Sequence, residues 1–173
     1  LHRVDRRQRQ MCIRDRLGID YQKINHQSVS TVEEAMFINE QIDGVACKNL
    51  FLKSSDKQFF IYMMTVERRA DLKYIAKQIG SKRLSFASDE ELVELLKLIP
   101  GSVTPLGIIN DNKRVKILID RELRAQRLLI HPNINTATIS ITYDDLLLFI
   151  NACGNEYLIC LLYTSPSPRD QRG

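Results

Sequence analysis

The stretch GVACKNLFLK, Gly44 to Lys53, has the composition of a β-strand. Strand alternation sorts it into two faces. Val45, Cys47, Asn49 and Phe51 point one way, and Ala46, Lys48, Leu50 and Leu52 the other. Both faces are mostly apolar, which predicts a central strand covered on both sides. Lys48 then stands among Ala46, Leu50 and Leu52. An ammonium group there must reach water, find a partner or face a cavity. Two readings stay open: a lysine that snorkels from a sheet edge, and a lysine held in a pocket to meet a substrate.

Around this strand the patterning alternates between short strands and single helices. Upstream, Leu17 to Ile24 reads as a strand, and Thr31 with Glu34 has the spacing of a capping box. A helix beginning near Val32 would turn Val32, Ala35, Met36 and Asn39 inward. Downstream, SSDKQ (Ser54 to Gln58) is turn chemistry, and FFIYMM (Phe59 to Met64) reads as the hairpin partner. A helix over Arg69 to Ile79 has Leu72, Ile75, Ala76 and Ile79 on one side, and Gly80 ends it. RLSFA, Arg83 to Ala87, is a short strand. Ser88 and Glu91 cap a second helix with Leu92, Leu95, Leu96 and Ile99 as its apolar stripe. VTPLGII, Val115 to Asp120, Arg127 to His131 and Thr136 to Thr142 read as four more strands. A last helix, Tyr143 to Cys153, turns Leu146, Phe149, Ile150 and Cys153 inward and stops at Gly154. Strand runs broken by single helices predict an α/β fold of α+β character. The expectation is one domain with a curved mixed sheet of about six to seven strands flanked by helices.

The two ends differ from the rest. RRQRQMCIRDR, Arg6 to Arg16, and CLLYTSPSPRD, Cys160 to Asp170, resemble translated sequencing adapters. Residues 1–16 and 160–173 are therefore expected to be non-native scars and disordered. The genuine domain is expected over 17–159, without a first helix. The first sixteen residues hold six Arg and two Asp, and the last fourteen hold two Arg and one Asp. The formal charge of +4 thus falls to −1 over 17–159, and a global basic charge gives no argument for a polyanionic partner. Cys47 and Cys153 remain in that span. Without a CxxC spacing they suggest neither a disulfide framework nor a zinc site. No run is long and apolar enough to span a membrane, and a reducing cytoplasm is the expected compartment.

No GxSxG, HExxH or glycine-rich phosphate loop is present. His26 and His131 are isolated in sequence, so neither a metal nor a cofactor is expected. Two loops stand out. GSVTP (Gly101, Ser102, Val103, Thr104 and Pro105) sets a flexible glycine and a rigid proline around two hydroxyls. Such a loop can turn backbone groups toward a ligand, or can simply connect a helix to a strand. HPN, from His131, follows a strand end, and its histidine reads either as a pocket residue or as part of a turn.

GVACKNLFLK, GSVTPLGIINDN and HPNINTATISI, in that order and with HQSVST upstream, resemble the bacterial prolyl-tRNA editing domain, the YbaK-like deacylases. The resemblance spans about Leu17 to Ile159 and leans toward the free-standing branch that removes alanine from tRNA(Pro). It implies that Lys48 is the essential lysine, that Gly101 to Pro105 is the GxxxP loop lining the site, and that His131 stands at the substrate pocket. His26 and Thr31 match a recurrent pair of unassigned role. Asn49 aims at the opposite face and receives no catalytic role. The implied activity is hydrolysis of mischarged tRNA(Pro), most simply Ala-tRNA(Pro), by water. Cys-tRNA(Pro) hydrolysis and a non-catalytic module binding aminoacyl-tRNA or synthetase are the alternatives. The implied partners are mischarged tRNA(Pro) and, as a second candidate, prolyl-tRNA synthetase, with the chain a monomer. Arg68, Arg69, Lys73 and Lys77 on the 69–79 helix are the candidate tRNA contacts; a solvated helix face explains the same run.

Overall fold

The computed structural model describes residues 17–19, 21–27, 32–101, 103–111, 113–131 and 137–160. Of the terminal segments expected to be disordered, residues 1–16 and 160–173, all but Cys160 lie outside the described residues. So do Thr31 and Ser102.

Among the described residues eight strands form one mixed sheet. They are β1 (Gln22–Asn25), β2 (Val45–Ser54), β3 (Phe59–Thr65), β4 (Leu84–Phe86), β5 (Val115–Asp120), β6 (Arg127–Ile130), β7 (Ala137–Thr142) and β8 (Tyr157–Cys160). The spatial order is β1-β7-β6-β2-β3-β5-β8, with β4 paired to β2. Among the described residues four α-helices accompany it: α1 (Val32–Glu40), α2 (Leu72–Ile79), α3 (Asp89–Leu96) and α4 (Tyr143–Cys153).

Alternation is obeyed along the central strands. Phe51, Ile61, Met63, Ile117 and Ile119 face one core, which α3, α4 and the segment Leu106–Ile108 close from outside. Leu52, Phe60, Tyr62, Met64 and Leu118 face a second core, closed by α2 through Ile75 and Ala76. Each fully buried Leu, Ile or Phe in such a layer is worth about 1.5–3 kcal/mol over exposure. The caps also follow the sequence. Ser88 and Glu91 form a capping box, and Gly80 and Gly154 close α2 and α4 in the left-handed conformation.

Five expectations are corrected. VTPLGII is not a strand, because Pro105–Asn110 is a 3-10 helix capped by the Thr104 side chain, with Pro at its start. Helix α2 begins at Leu72, not Arg69. Asp71 caps it by accepting from Tyr74 N, which leaves Arg68 and Arg69 outside the helix. Met36 is 58% exposed while Ile38 is buried, so α1 is rotated from the expected face. Ile99 is exposed and Leu98 is buried in its place, because α3 ends at Lys97 with a positive φ of 57°. Cys160, counted with the excluded tail, is buried and closes β8 against Asp120 of β5; the sequence pattern does not announce that strand.

The fully covered strand is β3, buried from Phe59 to Met64, whereas Val45 to Leu50 of β2 are half-buried. The reason lies in the pairing. On the edge away from β3, β2 pairs with β6 at Val45 and Ala46 and with β4 from Leu52 to Ser54. No described strand pairs Cys47 to Phe51 on that edge. The sheet opens there, and Lys48 lies in the opening.

Candidate active site

Val103 reaches this part of β2. Asn49 Nδ2 donates to the carbonyl of Val103 at 3.2 Å. Thr104 Oγ1 donates to the carbonyl of His131 at 2.5 Å and accepts from Leu106 N at 3.3 Å. The loop therefore stitches the middle of β2 to the end of β6. Thr104 and Pro105 are buried, Val103 is half-buried, and Gly101 is exposed with a φ of +87°. Its positive φ suits a residue without a Cβ. The Val103 carbonyl and the Thr104 side chain hold the loop to the rest of the protein.

Behind the loop, a cavity of about 120 Å³ is lined by Ala46 and Cys47 of β2, Leu129 and His131, Thr138 of β7, Ile38 and Asn39 of α1, and Val66. His131 directly follows β6, and its Nδ1 lies 2.9 Å from the carbonyl of Ala137, the first residue of β7. His26, which follows β1, lies edge-on to His131 with ring centroids 6.5 Å apart. His26 Nε2 is 2.8 Å from Thr138 Oγ1. Two histidines 105 positions apart in the chain are thus brought together by the β1-β7-β6 pairing.

Lys48 is half-buried and is not among the residues that line this cavity. It shares the strand face of Ala46, which does line it, and stands about 7 Å farther along β2. Among the described residues it has no hydrogen-bonded or ionic partner. Lys48 adjoins Asn49, which holds the carbonyl of Val103, and the loop is tied in turn to His131 through Thr104.

Cys47 could be mistaken for a nucleophile. Burial pushes its thiol up to about 12, so it stays protonated at neutral pH, the opposite of an activated cysteine. Cys47→Ala should leave turnover within a few-fold of wild type in a deacylation assay; a loss of two orders of magnitude would make the thiol part of the chemistry. Among the described residues no group of three or more His, Cys, Asp or Glu could hold a metal ion. No helix there is long and apolar enough to cross a membrane.

The candidate tRNA contacts divide. Arg68 is tied to Glu122 at 2.6 Å, and Arg69 is exposed before the helix. Lys73 and Lys77 line a groove of about 800 Å³ between α2 and β4, together with Arg83, Ser81 and the apolar Leu72, Ala76 and Leu84. No acidic side chain lines it. Asp71 serves the N-terminus of α2, accepting from Tyr74 N.

Sequence reasoning missed the part played by Asn49. Alternation placed it correctly on the face opposite Lys48, and its role is to fix the loop. Nothing local in the sequence signals a contact with a residue 54 positions away.

Residues 26–149 match the family model of the aminoacyl-tRNA editing domain. The prolyl-tRNA editing protein ProX of Acetoanaerobium sticklandii is 36% identical over 158 residues, which cover 89% of this chain and 96% of that protein. The mouse prolyl-tRNA synthetase associated domain-containing protein 1 is 33% identical over 150 residues, 83% of this chain and 88% of that protein. The crystal structure of a candidate trans-editing enzyme for prolyl-tRNA synthetase superposes with a TM-score of 0.63 at 19% identity, over 80% of this chain and 85% of that one. At that identity the structural likeness concerns the fold.

Proposed function

The chain belongs to the aminoacyl-tRNA editing domain family and is an aminoacyl-tRNA deacylase of the prolyl-tRNA editing kind; on that premise we propose that its substrate is Ala-tRNA(Pro). The small cavity beside His131 supports this reading. At about 120 Å³ it is the size of one small amino-acid residue, and an alanyl group fits it. Selection is then steric. A synthetase site built for proline cannot strongly reject a smaller amino acid, so a second, smaller sieve clears the product.

The hydrolysis uses water. Among the described residues the lining offers no carboxylate and no serine, and the Cys47 thiol is held protonated by burial. The attacking water is assisted by the vicinal hydroxyl of the terminal ribose. Lys48 is the cation at this end of the sheet, and it holds the 3′-terminal nucleotide or the developing oxyanion. Gly101–Pro105 and His131 shape the mouth that receives the ester, with Ser102 on the same loop. Positioning and electrostatic stabilisation supply the rate. Reaction takes place in the cytoplasm, where the chain acts as a monomer; an encounter with prolyl-tRNA synthetase would deliver the substrate.

Deacylation of Ala-, Cys- and Pro-tRNA(Pro) under identical conditions tests the amino acid. Alanine should be released fastest. Faster release of cysteine would transfer the assignment to Cys-tRNA(Pro), and tight binding without release of any of the three would leave a binding module.

The α2/β4 groove is the surface offered to the tRNA phosphates. Lys73, Lys77 and Arg83 line it without an acidic neighbour, while Arg68 is engaged by Glu122 and Arg69 stands outside it. The double variant Lys73→Glu/Lys77→Glu should weaken tRNA binding. It should also reduce the slope of log affinity against log salt by about 0.7–0.9 for each phosphate that is no longer neutralised. An unchanged slope would place the tRNA on another face.

A further inference from the structure

Three cations meet across the α2/β4 groove. Lys73 and Lys77 stand one turn apart on α2, and Arg83, the residue before β4, belongs to the opposite wall. Like charges at that helical spacing repel. None of the three side chains has a hydrogen-bonded or ionic partner among the described residues. Other cations around the sheet are neutralised: Lys53 by Glu91, Arg68 by Glu122 and Lys116 by Glu156. The Ser81 hydroxyl, also in the lining, donates to the carbonyl of Lys82, so the donors that the groove's side chains leave open are the three cations. The groove also has a fixed relation to Lys48. Leu50 and Leu52 follow Lys48 on the face of β2 that α2 covers. Farther along, Ser54 pairs with Leu84, and Ser55 N donates to the carbonyl of Arg83. The strand from Lys48 to Ser54 is about 20 Å long at about 3.3 Å per residue.

We propose that this groove is a subsite for a phosphomonoester, the 5′-terminal phosphate of the tRNA. A terminal phosphate carries about −1.5 to −2 charge at neutral pH and three strong acceptor oxygens. An internal phosphodiester carries a single charge and fewer free oxygens. Three unpaired cations converging from two walls complement the terminal group. The span fits as well. The unpaired nucleotides of the 3′ end separate the ester of a charged tRNA from its 5′-phosphate. Four of them stacked at about 3.4 Å each cover about 14 Å, and a partly unstacked end covers the distance from Lys48 to Arg83. With the ester at Lys48, the first base pair and its 5′-phosphate then lie over the groove. The inference rests on the reading that the tRNA lies on this face with its 3′ end at Lys48. It adds that the chain recognises the chemical end of the 5′ strand, and so favours a mature 5′ end over an extended one.

The test is binding of two uncharged RNA hairpins by the full chain. Both carry the tRNA(Pro) acceptor stem and its 3′ end; one has a 5′-phosphate and the other a 5′-hydroxyl. The phosphorylated hairpin is expected to bind about tenfold more tightly, the scale of hydrogen bonds to a charged group. That ratio should shrink between about pH 7.5 and about pH 5.5, because the second ionisation of a terminal phosphate lies at about 6. Lys73→Gln/Lys77→Gln should bring the ratio to within about twofold. Lys116→Gln, which removes a cation outside the groove, should leave it unchanged. Equal affinity for the two hairpins, or a tenfold ratio that survives in folded Lys73→Gln/Lys77→Gln, would overturn the subsite. Equal affinity together with a reduced salt slope in Lys73→Glu/Lys77→Glu would overturn it too, and would leave the groove as a surface for internal phosphates. Hydrolysis of Ala-tRNA(Pro), followed separately, keeps the two ideas apart. A chain that prefers the phosphorylated hairpin yet leaves Ala-tRNA(Pro) intact keeps the subsite and loses the proposed substrate. A chain that hydrolyses it without distinguishing the hairpins does the reverse.

Discussion

Lys48→Ala is expected to slow single-turnover hydrolysis of Ala-tRNA(Pro) by about 100- to 1,000-fold, the usual effect of removing one preorganised electrostatic donor. The melting temperature should hardly move. Lys48 is half-buried on β2, has no partner among the described residues, and sits where the sheet opens. Its removal breaks no ion pair and leaves no buried group orphaned. A charge on a mostly apolar face has a cost that alanine relieves, so a slight gain in stability is consistent with the account. Lys48→Arg should fail as well. The planar guanidinium is bulkier than an ammonium and directs its donors along a fixed fork. Rates and melts measured together on the two variants decide the matter. Near wild-type turnover in a folded Lys48→Ala protein would return this lysine to a snorkelling role.

Thr104→Val should damage both stability and rate. The side chain is fully buried, donates to the carbonyl of His131 and accepts from Leu106 N. Valine keeps the shape and removes both bonds. The carbonyl of His131 loses this donor and Leu106 N loses this acceptor, and one unsatisfied buried group costs about 1–3 kcal/mol. In a chain of this size each kcal/mol lowers the melting temperature by about 2–4 °C. The rate should fall further than the stability predicts. Thr104 ties the Gly101–Pro105 loop to the residue that lines the cavity, and a displacement of about 1 Å at a reacting centre can cost about 100-fold. Thr104→Ser, which preserves both bonds, should restore most of each loss. A Thr104→Val protein with normal single-turnover rates would show that the stitch has no bearing on the chemistry.

Local signals were readable in the sequence, and contacts between distant segments were not. Alternation in GVACKNLFLK assigned Phe51 to one core and Leu52 to the other, as observed. The Ser88–Glu91 capping box and the glycines at 80 and 154 fixed helix ends, because each depends on a few neighbouring residues. The misreadings have physical causes. Pro105 and Gly107 were embedded in an apolar run that resembled a strand, and the Thr104 cap that turns it into a 3-10 helix depends on its anchor at His131. Strand β8 is four residues long, and two of them, Leu158 and Ile159, are exposed. Its identity comes from pairing with β5, not from its own pattern. Helix α1 has little amphipathic contrast, with Met36 and Phe37 exposed beside a buried Ile38, so periodicity could not orient it. At the site, Lys48, the 101–105 loop and His131 could be named from motifs. The Asn49–Val103 bond, the His26–Thr138 bond and the division of the basic residues between an ion pair and an open groove required the fold.

The most direct test of the central claim is single-turnover deacylation of Ala-tRNA(Pro) and Pro-tRNA(Pro) by the full chain, each against its spontaneous rate. The account predicts rapid loss of alanine and release of proline no faster than without protein, because the proposed substrate is the smaller, mischarged ester. Equal hydrolysis of both esters, or of neither, would contradict it.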